Sequence, residues 1–274
     1  MRGMGWHRDF PDVRDYSHHT DSVRAILKAS SRLKPPSSLP PTTDLRQWCS
    51  PIEDQKSLGS CTANAAAGLL EYYERKAFGR HVDASRLFLY KVTRKLLGWK
   101  GDTGAQLRTA MQALVLFGAP PEKYWPYVES KFEDEPDAFC YQFASNYQTV
   151  QYYRLDPPGT SAEQLLLTIR QMLASGMPSM FGFTVYSSLG DGPDIPFPGP
   201  GDKVDGGHAI MTVGYDDKRK VGSWTGALLI RNSWGTSWGT AGYGWLPYQY
   251  VLRGLATDWW SLTKAEFADL KPFV

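Results

Sequence analysis

Cys61 follows a Gly59-Ser60 turn and opens an Ala-rich run that reads as helix as far as Phe78, with Gly79 as its stop. A thiol in the first turn of a helix faces unpaired N–H groups and the positive end of the macrodipole. Both favour the thiolate, which is the nucleophilic form, and Gly59 lets a ligand backbone approach the sulfur. The plain alternative is a small buried hydrophobe, a common fate of free cysteine. A thiol nucleophile needs a base, and the base needs an orienting group.

Five histidines compete for the role of base. His7, His18 and His19 lie in an N-terminal segment that looks separable from the core, and His81 sits in the charged stretch Arg80-His81-Val82-Asp83. His208 stands where Gly206-Gly207 leads into the apolar run Ala209–Tyr215, so a strand would hold it at the mouth of a cleft. Asn232 ends a second apolar run, Leu228–Ile230 with Arg231, and is followed by Trp234 and Trp238 spaced by Gly235 and Gly239. An Asn there can accept from an imidazole N–H and fix its tautomer. Trp234 can keep water from that bond. A lone strand-mouth His and a turn Asn beside core tryptophans would be the structural alternatives.

These blocks together resemble the papain-like cysteine peptidases: Gln55…Gly59-Ser60-Cys61, then Gly207-His208-Ala209 with Val213-Gly214-Tyr215, then Asn232-Ser233-Trp234-Gly235…Trp238-Gly239 with Gly242-Tyr243. In that family the His and Asn follow the Cys by about 130–150 residues. Here His208 lies 147 and Asn232 171 positions on, so insertions are expected. Leu58 stands where the family often has a disulfide Cys, and Thr62 where it usually has Trp. The resemblance covers about Thr42 to Leu262, and the opening Gly5–Tyr16 looks like that of bacterial members. It implies an α+β fold of two lobes, one mainly helical and one an antiparallel β-barrel-like sheet, with the active site between them. It implies Cys61 as nucleophile, His208 as acid–base, Asn232 as its orienter, and Gln55 with the Cys61 N–H as oxyanion donors. Gly104, Gly207 and Trp234 are the expected substrate-binding positions, Gly104 because the family pairs substrate backbone with a glycine-bearing stretch nearby. No cofactor or metal is expected, since His and Cys never cluster at ligand spacing.

The elements that must position these groups divide the chain into three expected parts. Residues 1–41 form a propeptide-like segment with a Pro-rich tether, Lys34–Pro41. Trp6, Phe10, Val13 and Tyr16 are its apolar points, and Asp21–Leu33 has the spacing of a short amphipathic helix. Such a leader is expected to dock near the cleft as an inhibitor at high effective concentration. Residues 42–145 read as the helical lobe, with helices over Leu87–Leu97 and Gln106–Phe117. Residues 146–274 read as the β lobe, with strands over Tyr147–Leu155, Ser179–Tyr186, Ala209–Tyr215 and Ala227–Asn232 and a helix over Ser161–Ser175. The Gly/Pro-rich Gly190–Gly207 is expected to rim the cleft, and Trp259-Trp260 with an amphipathic Thr263–Leu270 to pack structurally.

Composition bounds the partners. The 274 residues suffice for a real core, and a net charge of +2 gives no electrostatic footprint for nucleic acid. No apolar run reaches about 18 residues and no secretory h-region opens the chain, so neither a membrane span nor a signal peptide is expected. Cytoplasmic residence is the default, with export by another route left open. Three cysteines fit a reducing compartment. Cys49 and Cys140 are expected as buried thiols, though they could pair. The expected function is endopeptidase cleavage of polypeptides by a monomer whose leader regulates it. The alternatives are an exopeptidase or transferase on the same fold, and a catalytically silent peptide binder.

Overall fold

The computed structural model describes residues 3–29, 39–147 and 149–265. In chain order the elements are α1 (Asp21–Ala29), β1 (Thr42–Asp44), α2 (Cys61–Phe78), α3 (Arg86–Leu97), α4 (Leu107–Leu116), α5 (Ala138–Ala144), β2 (Thr149–Arg154) and α6 (Ala162–Ala174). Then come β3 (Ser179–Tyr186), β4 (Val204–Val221), β5 (Trp224–Arg231), β6 (Tyr243–Pro247), α7 (Gln249–Leu252) and β7 (Ala256–Ala265). This is an α+β fold.

Helix α2 is the central element, with every side chain from Cys61 to Glu74 buried. Its small residues allow that: at Gly68 an added Cβ would lie 1.9 Å from the Arg231 guanidinium. Gly79 closes the helix in the left-handed region, φ 70°, and donates its N–H to the Arg75 carbonyl. Ser85, Asp137 and Ser161 cap α3, α5 and α6 by accepting from Phe88, Cys140 and Gln164 N–H groups.

The sheet runs β2-β7-β3-β4-β5-β6, antiparallel throughout, and β1 pairs with β4. Thus Thr42–Asp44, at the start of the stretch expected to be helical, joins the sheet instead. Helix α2 packs across β4, β7 and β3. Two registers fix the site. Phe183 pairs with His208, and Met211 pairs with Arg231. Extending the second sets residues 232–234 abreast of 208–210.

The N-terminal segment packs on this body instead of lying apart from it. Val23 and Leu27 of α1 are buried, 0% and 1% exposed, and α1 packs on β7. Arg108 pairs with Asp9 at 3.2 Å and Asp15 at 3.0 Å. Of the four expected apolar contacts only Trp6 docks; Phe10, Val13 and Tyr16 are 68%, 91% and 51% exposed, because the polar ion pairs hold that stretch instead. The Pro-rich tether lies in part outside the described residues, as does the end of the expected 21–33 helix. The expected terminal helix is also corrected: 263–265 belong to strand β7, and 266–270 lie outside the described residues. Cys49, Cys61 and Cys140 are all free and buried.

Burial sets a pH dependence in α2. Glu74 is pushed up to about 8 by burial, with the Val82 N–H pulling down and Glu71 pushing up. Its folded value exceeds its ordinary one, so its protonated form is favoured in the native state and stability falls as pH rises from about 4.5 to about 8. Glu74→Gln is expected to leave stability unchanged at pH 5 and to raise it on the order of 3 kcal/mol at pH 9, measured by urea melts.

Candidate active site

The turn before α2 is held from below. Gly59 N–H donates to Asp102 Oδ1 at 2.9 Å, and the Tyr90 hydroxyl donates to the same carboxylate at 2.5 Å. Asn64 Nδ2 donates back to the Ser60 carbonyl at 3.0 Å. Cys61 therefore has a fixed place at the helix start, where it is 0% exposed. Its thiol is pushed up to about 11 by burial, and backbone hydrogen bonds from Ala209, Gly5, Thr62 and Cys61 offset only part of that. In this form burial of the sulfur outweighs the local field of the helix start, which was expected to acidify the thiol, and the Gly5 backbone donor beside the sulfur offsets only part of it.

Ala209, which faces the sulfur, follows His208 on β4. His208 Nε2 and Asn232 Oδ1 are 2.8 Å apart, and both residues are buried. The same Oδ1 accepts the Ser233 N–H at 2.8 Å, which fixes the oxygen end of the amide. The imidazole nitrogen facing an oxygen must carry the proton, so Nε2 is the N–H. The Trp234 indole stacks on the imidazole at 4.4 Å and 21°, with Trp238 edge-on behind it at 5.7 Å. That places the His–Asn bond beside a stacked ring.

Gln55 is fully buried and joins the two halves of the site. Its backbone N–H donates to the Ser233 carbonyl at 2.8 Å, and its Oε1 accepts the Ser233 hydroxyl at 2.6 Å. Its Nε2 is thereby aimed away from Ser233, and donates to the Leu58 and Gly3 carbonyls, each at 2.9 Å. Ser233 was missed in the sequence; its place beside Asn232 was the only signal.

Residues 3–7 run through the cleft on backbone hydrogen bonds, with one isolated β-bridge at Trp6. Gly3 N–H donates to Lys56 O at 3.1 Å, Trp6 N–H to Gly207 O at 3.1 Å, and His7 N–H to Ala105 O at 3.0 Å, while Gly5 O accepts from Ala105 N–H at 2.7 Å. The pairing with Ala105 is parallel. Two glycines make the approach possible. A Cβ on Gly5 would lie 2.0 Å from the Gly59 carbonyl, and one on Gly104, itself at φ 76°, 2.2 Å from the Gly5 carbonyl. Gly104 thus gives clearance, whereas the hydrogen bonds expected of it are made by Ala105. Gly207 contributes a backbone acceptor, and Trp234 packs on His208. Among the described residues no group of three or more His, Cys, Asp or Glu gathers to hold a metal.

The model of the papain family cysteine proteases matches residues 39–253. A protein of Acanthamoeba polyphaga mimivirus, described as uncharacterized and peptidase C1-like, is 33% identical over 275 residues, covering 94% of this chain and 86% of its own. Mouse cathepsin K is 26% identical over 213 residues; the match covers 76% of this chain and 60% of the cathepsin. The solved structure of xylellain, a cysteine protease from Xylella fastidiosa, superposes with a TM-score of 0.77 at 32% identity and covers 97% of each chain. The proform of the ragweed pollen protease Amb a 11, at 22% identity and a TM-score of 0.64, shares the fold. With most of its length matched by the family's model and nearly all of it by a member's structure, the chain belongs to the papain family of cysteine proteases.

Proposed function

We propose that the chain is a latent endopeptidase in which Cys61, His208, Asn232 and Gln55 hydrolyse peptide bonds, and residues 3–7 close the cleft until displaced. One observation carries this reading: a peptide segment already lies along the cleft with a carbonyl on Gln55 Nε2, 2.9 Å away. A substrate carbonyl at that donor would sit beside the sulfur. Asn232 holds the proton on His208 Nε2, leaving Nδ1 to exchange a proton with the sulfur. The thiolate adds to the carbonyl carbon, and the oxyanion gathers the Gln55 amide and the Cys61 N–H. The imidazolium then gives its proton to the leaving amine, and the C–N bond breaks to leave a thioester. Water, deprotonated by His208, attacks the thioester and returns the thiol.

In the seated leader the sulfur is met by the Gly5 backbone hydrogen-bond donor, while Gln55 Nε2 is occupied by the Gly3 carbonyl. Passage of a continuous main chain from Gly3 at Gln55 to His7 at Ala105 supports cleavage inside a polypeptide. The seated segment supports regulation by the N-terminal region.

Labelling Cys61 with a thiol-reactive epoxide, in the intact chain and after the leader has been cut away, tests the reading. Labelling after the cut separates a masked enzyme from a silent binder; a sulfur inert in both forms rejects the proposal. Gln55→Ala is expected to keep a weak residue of activity, with kcat down about 10²–10³-fold, because one oxyanion donor is lost while the nucleophile remains. Steady-state kinetics with a blocked fluorogenic peptide checks it.

A further inference from the structure

The Trp6 indole fills a slot between two strands that lack side chains there. A Cβ at Gly182 on β3 would lie 1.9–2.4 Å from its three nearest heavy atoms, and all three belong to the Trp6 ring. A Cβ at Gly207 on β4 would lie 2.9 Å from the same ring. At the far end Trp6 Nε1 donates to Asp258 Oδ2 at 3.0 Å. Asp258 is 0% exposed and has φ 64°, a left-handed backbone that an L residue adopts only when its surroundings hold it there. They do so here. Asp156 accepts the Asp258 N–H at 2.8 Å and the Trp259 N–H at 3.0 Å, and Arg154 forms ion pairs with both carboxylates. The Trp260 indole N–H donates to Asp258 Oδ1 at 2.7 Å. One carboxylate oxygen is thus committed to the body of the fold, and the other faces the slot and the leader's indole.

We infer that this slot is a specificity pocket for a tryptophan side chain of the substrate, with Gly182 and Gly207 giving it depth and Asp258 Oδ2 reading the indole N–H. The inference rests on the peptidase reading above and names the residue class that peptidase selects. When the leader leaves, water replaces the indole N–H at Asp258 Oδ2, and a substrate ring that expels that water must return a donor or leave a buried acceptor unpaired. A substrate ring that brings an N–H restores the bond; phenylalanine fills the slot and does not. Charge decides between indole and a cation. The leader carries off Asp9 and Asp15, which releases the Arg108 cation over the Trp260 ring that Arg154 also faces, while Arg154 stays paired with Asp156 and Asp258. The pocket has no spare negative charge to draw an arginine or lysine, so a neutral donor fits it.

The test uses the full chain, folded with its leader, then cut at a protease site inserted after Ser37 and diluted so that the leader dissociates. Peptide pools randomised around the cleaved bond are expected to show one position at which tryptophan exceeds phenylalanine about ten- to a hundredfold in kcat/KM. Replacing that tryptophan by 1-methyltryptophan, which keeps the ring and removes the N–H, should lose the same factor. Gly182→Val should lower the ratio of tryptophan to alanine substrates at least about tenfold, since its side chain enters the space of the indole. Equal rates for tryptophan, phenylalanine and 1-methyltryptophan would overturn the inference, as would a preference for arginine. Binding of the free peptide Gly-Met-Gly-Trp-His and of its 1-methyltryptophan form to the cut protein needs no turnover. A cut chain that discriminates these two yet hydrolyses nothing and takes no epoxide rejects the peptidase reading and keeps the pocket. One that cleaves the pools without preference rejects the pocket and keeps the peptidase.

Discussion

Cys61→Ala is expected to abolish peptide hydrolysis, with kcat falling on the order of 10⁶-fold from that of the leader-free enzyme. In the proposed mechanism the bond-breaking steps run through a sulfur–carbon bond that alanine cannot form. His208→Ala is expected to cost about as much alone, and the double variant little more, because neither group works without the other. The fold should survive the first change. Alanine is smaller than cysteine, and α2 already seats Ala63, Ala65, Ala66 and Ala67 in the same buried helix. Hydrolysis is read with a blocked peptide, and folding by thermal melting of each variant. Retention of wild-type turnover by Cys61→Ala would remove Cys61 from the mechanism altogether.

The second large effect has the opposite sign. Cutting the tether and diluting the leader away is expected to raise kcat/KM about 10³-fold, the loss of a millimolar effective concentration acting on a micromolar intrinsic contact. Four main-chain hydrogen bonds, from the Gly3, Trp6, His7 and Ala105 N–H groups, and one from the Gln55 side-chain amide join the leader to the cleft and would be exchanged for substrate. A second readout is independent of turnover. In the intact chain the thiol is held up to about 11 by burial. Once Gly5 leaves, water and the helix start act on the sulfur together, so alkylation by a small neutral reagent should become fast at a distinctly lower pH. An unchanged pH profile after the cut would mean that burial by the leader is not what holds the thiol up.

The reading of the sequence succeeded where local rules act alone. The Gly-Ser turn and Gly79 bracket α2 correctly, and β3 was read to its ends because an apolar, aromatic run is buried along its length. Strand β4 is longer than the apolar run 209–215, since its arms at 204–208 and 216–221 are polar yet still carry ladder hydrogen bonds. Hydropathy does not report main-chain pairing. Trp259-Trp260 was read as packing, and the pair lies inside strand β7, between β2 and β3 in the sheet. Trp6 could not be told from Phe10 or Tyr16 by residue type, because the slot it enters is made by two glycines and a carboxylate about 175–250 residues away. The pKa of Cys61 failed for the same reason. The helix start was legible at residue 61, but the burial that outweighs it arises only in the folded chain.

All three sulfhydryls are enclosed in this form, and under the proposed reading a leader seated at Cys61 would do more than exclude substrate. Peroxide attacks ionised, accessible sulfur. A cysteine that is neutral and out of contact with solvent is chemically shelved, able to outlast oxidative exposure that would convert an open enzyme to its sulfinic acid. Release of residues 3–7 would therefore start two clocks at once, one for turnover and one for irreversible loss, and the working lifetime of the enzyme would be counted from its unmasking rather than from its synthesis.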